Sequence, residues 1–280
     1  MAGVFSDLSS LGFGGLSNVN IYEDEEEKKS AKQQGAVAGV PQYNEVDFLF
    51  DKKVQCPVCD NEFKIKTVKT GKPHLIGSDP DLRPKYQGID SVKYDVIVCP
   101  HCGYGALSRF FSYMTTRQAK LIHDNITVNF KGLKPTGDTY TYDDSITRYK
   151  LALLNTIVKK AKVSERAYTC LKLAWIYRGK AENLKETDAD YKKQKDECAA
   201  NEKEMLSNAY EGFVMSVSKE NYPICGMDET TLDYLMANLA KQIGKNDEAA
   251  RIISKILVSK TANPKIKDKA RDLKDSLKVK

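Results

Sequence analysis

Cys56-Pro57-Val58-Cys59 and Cys99-Pro100-His101-Cys102-Gly103 decide how the rest of this sequence is read. Two cysteines separated by two residues place both sulfurs on one ion from a single tight turn. Pro57 and Pro100 stiffen those turns, and Gly103 suits a backbone that must adopt positive φ just past the second sulfur. Four thiolates form the closed tetrahedral set of a structural zinc site, so Cys56, Cys59, Cys99 and Cys102 read as ligands of one structural Zn2+. Such a set leaves no position for water, which argues against catalytic zinc. A redox pair, which would place one motif at a helix N-terminus after a βαβ pattern, and an iron–sulfur cluster are the alternatives. His101, between two ligand cysteines, is expected to point outward.

The 39 residues between Cys59 and Cys99 exceed the usual ribbon spacing, and the sequence fills them with strands and a loop. Phe63, Ile65 and Thr67 alternate with Lys64, Lys66 and Val68, as in a half-buried strand. Tyr94-Asp95-Val96-Ile97-Val98 reads as a second strand running into Cys99. Pairing these two strands would bring the two knuckles together. Gly71 to Gly88 holds Pro73, Pro80 and Pro84 and reads as loop. Asp79, Asp81, Arg83 and Tyr86 gather in that loop, with Asp90 and Asp95 following. Two carboxylates two residues apart hold a hard cation or an arginine, and the same residues also make a plain turn in which aspartates bond their own backbone. This is the candidate ligand site, and the only place where an enzyme reading finds support.

From Leu107 the apolar period changes from 2 to 3.6, and about seven helices follow. Thr115 or Thr116, Asp143 or Asp144, Ser164 with Glu165, Asp228, and Asn246 or Asp247 supply start signals. Tyr222-Pro223, Gly226 and Gly244 supply breaks. Met236, Ala237, Ala240, Gly244, Ala249, Ile253 and Ile256 have the spacing of a degenerate tetratricopeptide-like helix pair. Leu173, Ala174 and Tyr177 with Ala209, Phe213 and Ser216 suggest an earlier pair whose helices extend beyond the repeat. An ordinary helical bundle needs the same apolar stripes; only the repeat reading predicts a concave face. Tyr177, Arg178 and Tyr210 are the candidate groove residues. Cys170 is expected in the core and Cys198 at least partly exposed. No base accompanies these thiols or Cys225, and His74 and His123 stand alone.

The expected fold class is therefore α+β, mainly α: a zinc-ribbon-like β module over residues 43–105 and a tetratricopeptide-like helical array over 106–280. Residues 1–42, with glycines and an acidic run from Glu23 to Glu27, are expected to form a disordered leader. The chain of 280 residues is 41% hydrophobic and 29% charged, the balance of a globular protein. No run reaches the length of a membrane span. Seven cysteines, four of them in two spaced pairs, favour a reducing compartment, and the expected location is the cytoplasm. Net charge runs from −5 over residues 1–50 to +3 over 51–110 and +8 over 111–280. Contact with nucleic acid is permitted by that balance without being required, and the basic stretch Lys260–Lys280 is its nearest candidate.

Together, Cys56-Pro-Val-Cys59, Ser78-Asp79-Pro80-Asp81-Leu82-Arg83-Pro84-Lys85-Tyr86 and Tyr94 through Tyr104 resemble a bacterial family, domain of unknown function family 2225. The leader up to Tyr22 and the helix around Leu173–Arg178 also fit it. The resemblance implies a cytoplasmic protein with a cysteine-rich module and tetratricopeptide-like helices, and no reaction. Asp60 departs from the glycine that often follows such a knuckle. The leading expectation for function is a non-enzymatic scaffold binding a protein or peptide partner through the helices. A nucleic-acid binder using the ribbon and basic tail, and an enzyme centred on Asp79, Asp81 and Arg83, are the alternatives.

Overall fold

A computed structural model describes residues 43–278; the expected leader, 1–42, lies outside them. The cysteine-bearing part is built from three two-stranded antiparallel sheets. Strand β1 (Leu49–Gln55) pairs with β2 (Glu62–Val68), from Leu49 opposite Val68 to Gln55 opposite Glu62. Strands β3 (Leu75–Ser78) and β4 (Pro84–Tyr86) form a small irregular hairpin inside the segment expected to be loop. Strand β5 (Val96–Val98) pairs with β6 (Gly105–Leu107). The two strands expected to pair with each other therefore do not. Each belongs to its own hairpin, and each knuckle is the turn of that hairpin. The second strand is also shorter than expected, because Asp90 caps a turn of 3-10 helix over Ser91–Tyr94 through Val92 N–H at 3.1 Å.

Seven α-helices follow: α1 (Thr116–Asn125), α2 (Tyr142–Val158), α3 (Val163–Asn183), α4 (Tyr191–Lys219), α5 (Glu229–Gln242), α6 (Asn246–Val258) and α7 (Pro264–Lys278). The fold is mainly α with small β elements. Capping boxes start α1 (Thr115 with Gln118) and α2 (Thr141 with Asp144), and the Asp228 carboxylate starts α5. Helix α3 has no side-chain cap; its Ser164 N–H and hydroxyl donate instead to the Glu220 carboxylate at 2.9 and 2.6 Å, tying the start of α3 to the end of α4.

From α2 onward, each helix packs on the next, and α5 also meets α7. Helix α3 is buried almost all round, from Ala167 through Tyr177, which marks it as central. Helix α5 buries nine consecutive residues, Leu232–Ala240, for the same reason. The α5–Gly244–α6 turn matches the spacing read from sequence, with Ala237, Ala240, Ala249 and Ile253 fully buried between the two helices and Gly244 at φ +87°. Cys170 lies in the core as expected, but so does Cys198, at 4% exposure. Its charged neighbours in sequence point away on the other faces of α4.

The hairpins are not free of this array. Strands β5 and β6 lie on α2, whose fully buried Tyr149 donates its hydroxyl to the Val92 carbonyl at 2.8 Å. Helices α3 and α4 approach closely where Gly212 faces Ala167, and a Cβ at position 212 would stand 2.7 Å from the Ala167 Cβ. Alanine in a helix interior gains up to about 1 kcal/mol over glycine. Overpacking of a tight crossing costs about 1–3 kcal/mol. We expect Gly212→Ala to be net destabilising in urea denaturation, by up to about 2 kcal/mol; a stabilised variant would show that the crossing relaxes.

Candidate metal centre and the Asp81–Arg178 clamp

The two knuckles are copies of one device. In the first, Asp60 N–H donates to the Cys56 carbonyl at 3.0 Å and Cys56 N–H to the Asn61 carbonyl at 3.0 Å. In the second, Gly103 N–H donates to the Cys99 carbonyl at 3.1 Å and Cys99 N–H to the Tyr104 carbonyl at 2.8 Å. The residue after the second cysteine is left-handed in both, Asp60 at φ +58° and Gly103 at φ +75°. Aspartate tolerates this conformation better than most side chains, so the departure from glycine at 60 leaves the turn intact. Gly103 has a second constraint, because a Cβ there would lie 2.6 Å from the Phe130 ring.

The hairpins bring the four sulfurs of Cys56, Cys59, Cys99 and Cys102 within 4.8 Å of one another. Two hydrogen-bonded pairs run between knuckles, Cys56 to Cys102 at 3.5 Å and Cys59 to Cys99 at 3.7 Å. A tetrahedron of sulfurs about 2.3 Å from a metal has edges of about 3.8 Å, so the set has the size to hold a metal ion. A redox pair would need only the two sulfurs of one motif, whereas here all four converge. Hydrogen bonds from Cys102 and then Cys56 hold the Cys99 thiol far below its ordinary range, while hydrogen bonding to Cys56 and Cys99, together with burial, pushes Cys102 up. Val58 N–H and the Asn61 amide point at the Cys56 and Cys59 sulfurs at 3.4 and 3.3 Å. Cys56, Cys99 and Cys102 are buried and only Cys59 is part-exposed; His101 is exposed beside them. Asn155 of α2 donates to the Gly103 carbonyl at 3.1 Å and Thr127 to the Cys102 carbonyl at 3.0 Å. These bonds fix the second knuckle to the helical part.

The structure brings Asp79, Asp81 and Arg83 together with Arg178, joining two candidate sites that the sequence kept apart. Asp81 is fully buried. Its Oδ1 accepts from Arg178 Nη1 at 3.0 Å; its Oδ2 accepts from Arg178 Nη2 at 2.7 Å and from the Trp175 indole at 3.1 Å. Arg178 also donates to Asp79 at 3.2 Å, to Glu202 at 2.7 Å and to Gln242 at 2.9 Å. Arg83 donates to Glu182 at 2.9 Å and Asp90 at 3.1 Å. Tyr86 stays outside this cluster, on β4 against the Phe48 core. Asp95 holds Lys172 and Ser108 instead. Tyr177 is buried in the core, and Tyr210 is buried with its hydroxyl on Glu248 at 2.8 Å. The partners missed by sequence reading are Trp175, Glu182, Glu202 and Gln242. Trp175, Arg178 and Glu182 share one face of α3 at helical spacing, a signal the sequence did hold.

This match of knuckles, loop and helices extends to whole-chain comparison. The chain belongs to the family described as uncharacterized protein conserved in bacteria (DUF2225). The family model matches residues 49–277, from the start of β1 into α7. No curated protein and no solved structure matches the chain. Within this DUF2225 member, the motifs that carried the resemblance are the two knuckles and the Asp81 loop, and all of them lie inside the matched residues.

Three outcomes follow from this geometry. Removing Arg178 leaves a buried carboxylate without its partner, which costs about 3–5 kcal/mol. Arg178→Ala is therefore expected to lower the urea midpoint strongly, and Asp81→Asn in the same chain to recover part of the loss. Burial alone would raise the Asp79 carboxyl, but hydrogen bonds from Lys85 and Arg178 outweigh it and hold the group below its usual range. Its contribution is present above the unfolded value of about 3.9 and is lost as pH falls further, so Asp79→Asn should flatten the acid limb of a stability–pH profile. Gly103→Ala should cost about 1–3 kcal/mol, while Asp60→Gly should be neutral or stabilising by up to about 1 kcal/mol. Equal effects at the two positions in thermal melts would contradict the Phe130 constraint.

Proposed function

We propose that the chain is a zinc-stabilised, non-enzymatic interaction protein of the cytoplasm, whose helical array receives a protein or peptide partner. The observation that carries this reading is that, among the described residues, the carboxylates and guanidiniums of the Asp79–Arg83 loop and Arg178 are engaged with one another, with only the Arg83 Nε left without a partner. Asp79, Asp81, Arg83 and Arg178 bond one another, with Asp81 sealed from solvent, so they serve as a structural clamp. Zinc is favoured at the four sulfurs because an all-thiolate tetrahedral set closes its coordination. Cys56, Cys59, Cys99 and Cys102 would hold it, and what it supplies is cross-linking of the two hairpins. The stacking of α3 on α4 and α5 on α6 supports the tetratricopeptide-like reading of the helices. Among the described residues no helix is long and apolar enough to cross a membrane.

One observation favours the nucleic-acid reading: Lys265, Lys269, Arg271 and Lys274 are exposed on α7. Neutralised phosphates give binding a steep dependence on salt, whereas a protein partner is held with a shallower one.

Elemental analysis of the purified chain should find one zinc per molecule, and Cys99→Ser should lose both the metal and cooperative melting. Iron, or no metal with all four thiols titratable in the folded state, would refute the zinc assignment. Binding to oligonucleotides with a steep salt slope, and no retained protein in a pull-down, would favour the second reading.

A further inference from the structure

Beside the clamp, α5, α7 and the Ser78–Pro80 turn enclose a cleft of about 550 Å³. Its apolar wall is Tyr234 and Leu273. Arg178 closes one end and is saturated by its four partners. Lys241 and Lys269 differ from it. Lys241 donates to the Ser276 hydroxyl at 2.7 Å, and the Lys269 ammonium stands 5.9 Å from the centre of the Tyr234 ring. Among the described residues, no carboxylate lies within 4.0 Å of either ammonium. Asp272, on the same helix as Lys269, is the one exposed carboxylate of the lining.

We infer that this cleft is the partner site of the helical array and takes an acidic peptide segment. This rests on the interaction reading above and adds the partner's chemistry. A carboxylate side chain of the peptide meets Lys241 and Lys269, an apolar side chain covers Tyr234 and Leu273, and a backbone N–H meets Asp272. The lining also decides against a polyanion. A nucleic-acid backbone repeats its negative charge along its length and would set phosphates against Asp79 and Asp272. A peptide supplies an acid at one point and a donor at the next. An ammonium that already had a carboxylate of its own would have little left to offer; among the described residues these two ammonium groups are free of that competition.

The probe is a short fluorescein-labelled peptide of alternating leucine and glutamate, read by anisotropy on the full chain. The control peptide carries glutamine in place of glutamate, and an oligouridylate serves as the polyanion. The glutamate peptide should bind at least about tenfold tighter than the glutamine peptide at low salt. Lys241→Glu with Lys269→Glu should abolish that preference. Because Lys241 is half-buried, Lys269→Glu alone is the second variant; it should weaken the preference with an unchanged melting temperature. Equal binding of the two peptides, a preference that survives Lys269→Glu and the double reversal, or tighter competing binding of oligouridylate overturns the assignment. Recovery of the same proteins by the parent and Lys269→Glu chains in a pull-down overturns the cleft while leaving the array reading intact. Recovery of none by the parent overturns the array reading and the cleft with it.

Discussion

Two hairpins that share no strand pairing meet at four sulfur atoms within 4.8 Å of one another. A hairpin of two strands is marginal by itself in water. The β5–β6 hairpin has other support, since Asn155 and Thr127 reach its turn from the helical part and Tyr149 bonds the 3-10 turn that leads into β5. The β1–β2 hairpin has less. Along β1 only Leu49 is buried, and along β2 only Phe63, which meets Phe111 edge-on at 6.2 Å. Beyond the packing of Leu49 and Phe63, its position rests on Cys56 and Cys59. A metal bound by both knuckles adds its binding free energy to folding, because the sulfur set does not exist in the unfolded chain. The β1–β2 hairpin would accordingly be the first element to lose its place if an ion held by these four sulfurs were removed.

The second constraint is the clamp between the Asp79–Arg83 turn and α3. A buried ion pair is weak support for stability taken as a whole, since desolvation consumes much of the attraction. Its value here is positional. Asp81 accepts from a fixed fork on Arg178 and from the Trp175 indole, so the turn has one register on α3. Leu82 sits at φ +71° within that turn, a conformation a leucine adopts only under constraint. Gly179, next to Arg178, completes the fit. A Cβ there would lie 2.7 Å from Tyr142 and 2.9 Å from both Arg83 and Asp90, so the absence of a side chain lets the second arginine reach its carboxylates.

Local patterns were legible in the sequence, and distant partners were not. The knuckles, the strand around Phe63–Thr67, the caps at Thr115 and Asp228 and the Gly244 turn depend on neighbours within a few residues, and each reads directly. The pairing of strands failed because a Cys-x-x-Cys turn has two possible uses, as the end of one strand or as the turn of a hairpin. Nothing local chose between them. The sequence marked Phe63–Thr67 as half-buried, while β1 carries charge at Asp51, Lys52 and Lys53 and hides its strand character. The carboxylates at 79 and 81 were visible, but their partner Arg178 lies 97 residues from Asp81. Cys198 was misplaced for a related reason. Its sequence neighbours are charged, yet on a helix they occupy other faces, and only the fold shows which face meets the core.

The arrangement of charge around Arg178 also explains why an arginine so central is a poor recognition residue. A guanidinium has five N–H donors, and Asp79, Asp81, Glu202 and Gln242 engage them. A ligand arriving at Arg178 would have to displace a bond already made in a low-dielectric setting, where each bond is stronger than in water. Lys241 and Lys269 sit a short step outward, one on a hydroxyl and one on an aromatic face. Their partners are neutral, so an incoming carboxylate gains a charge-assisted bond without breaking one. The same fold thus separates two uses of positive charge. Cations paired inside the clamp fix the turn against α3, and in the proposed partner site recognition falls to the cations at the clamp's mouth, whose partners among the described residues are neutral.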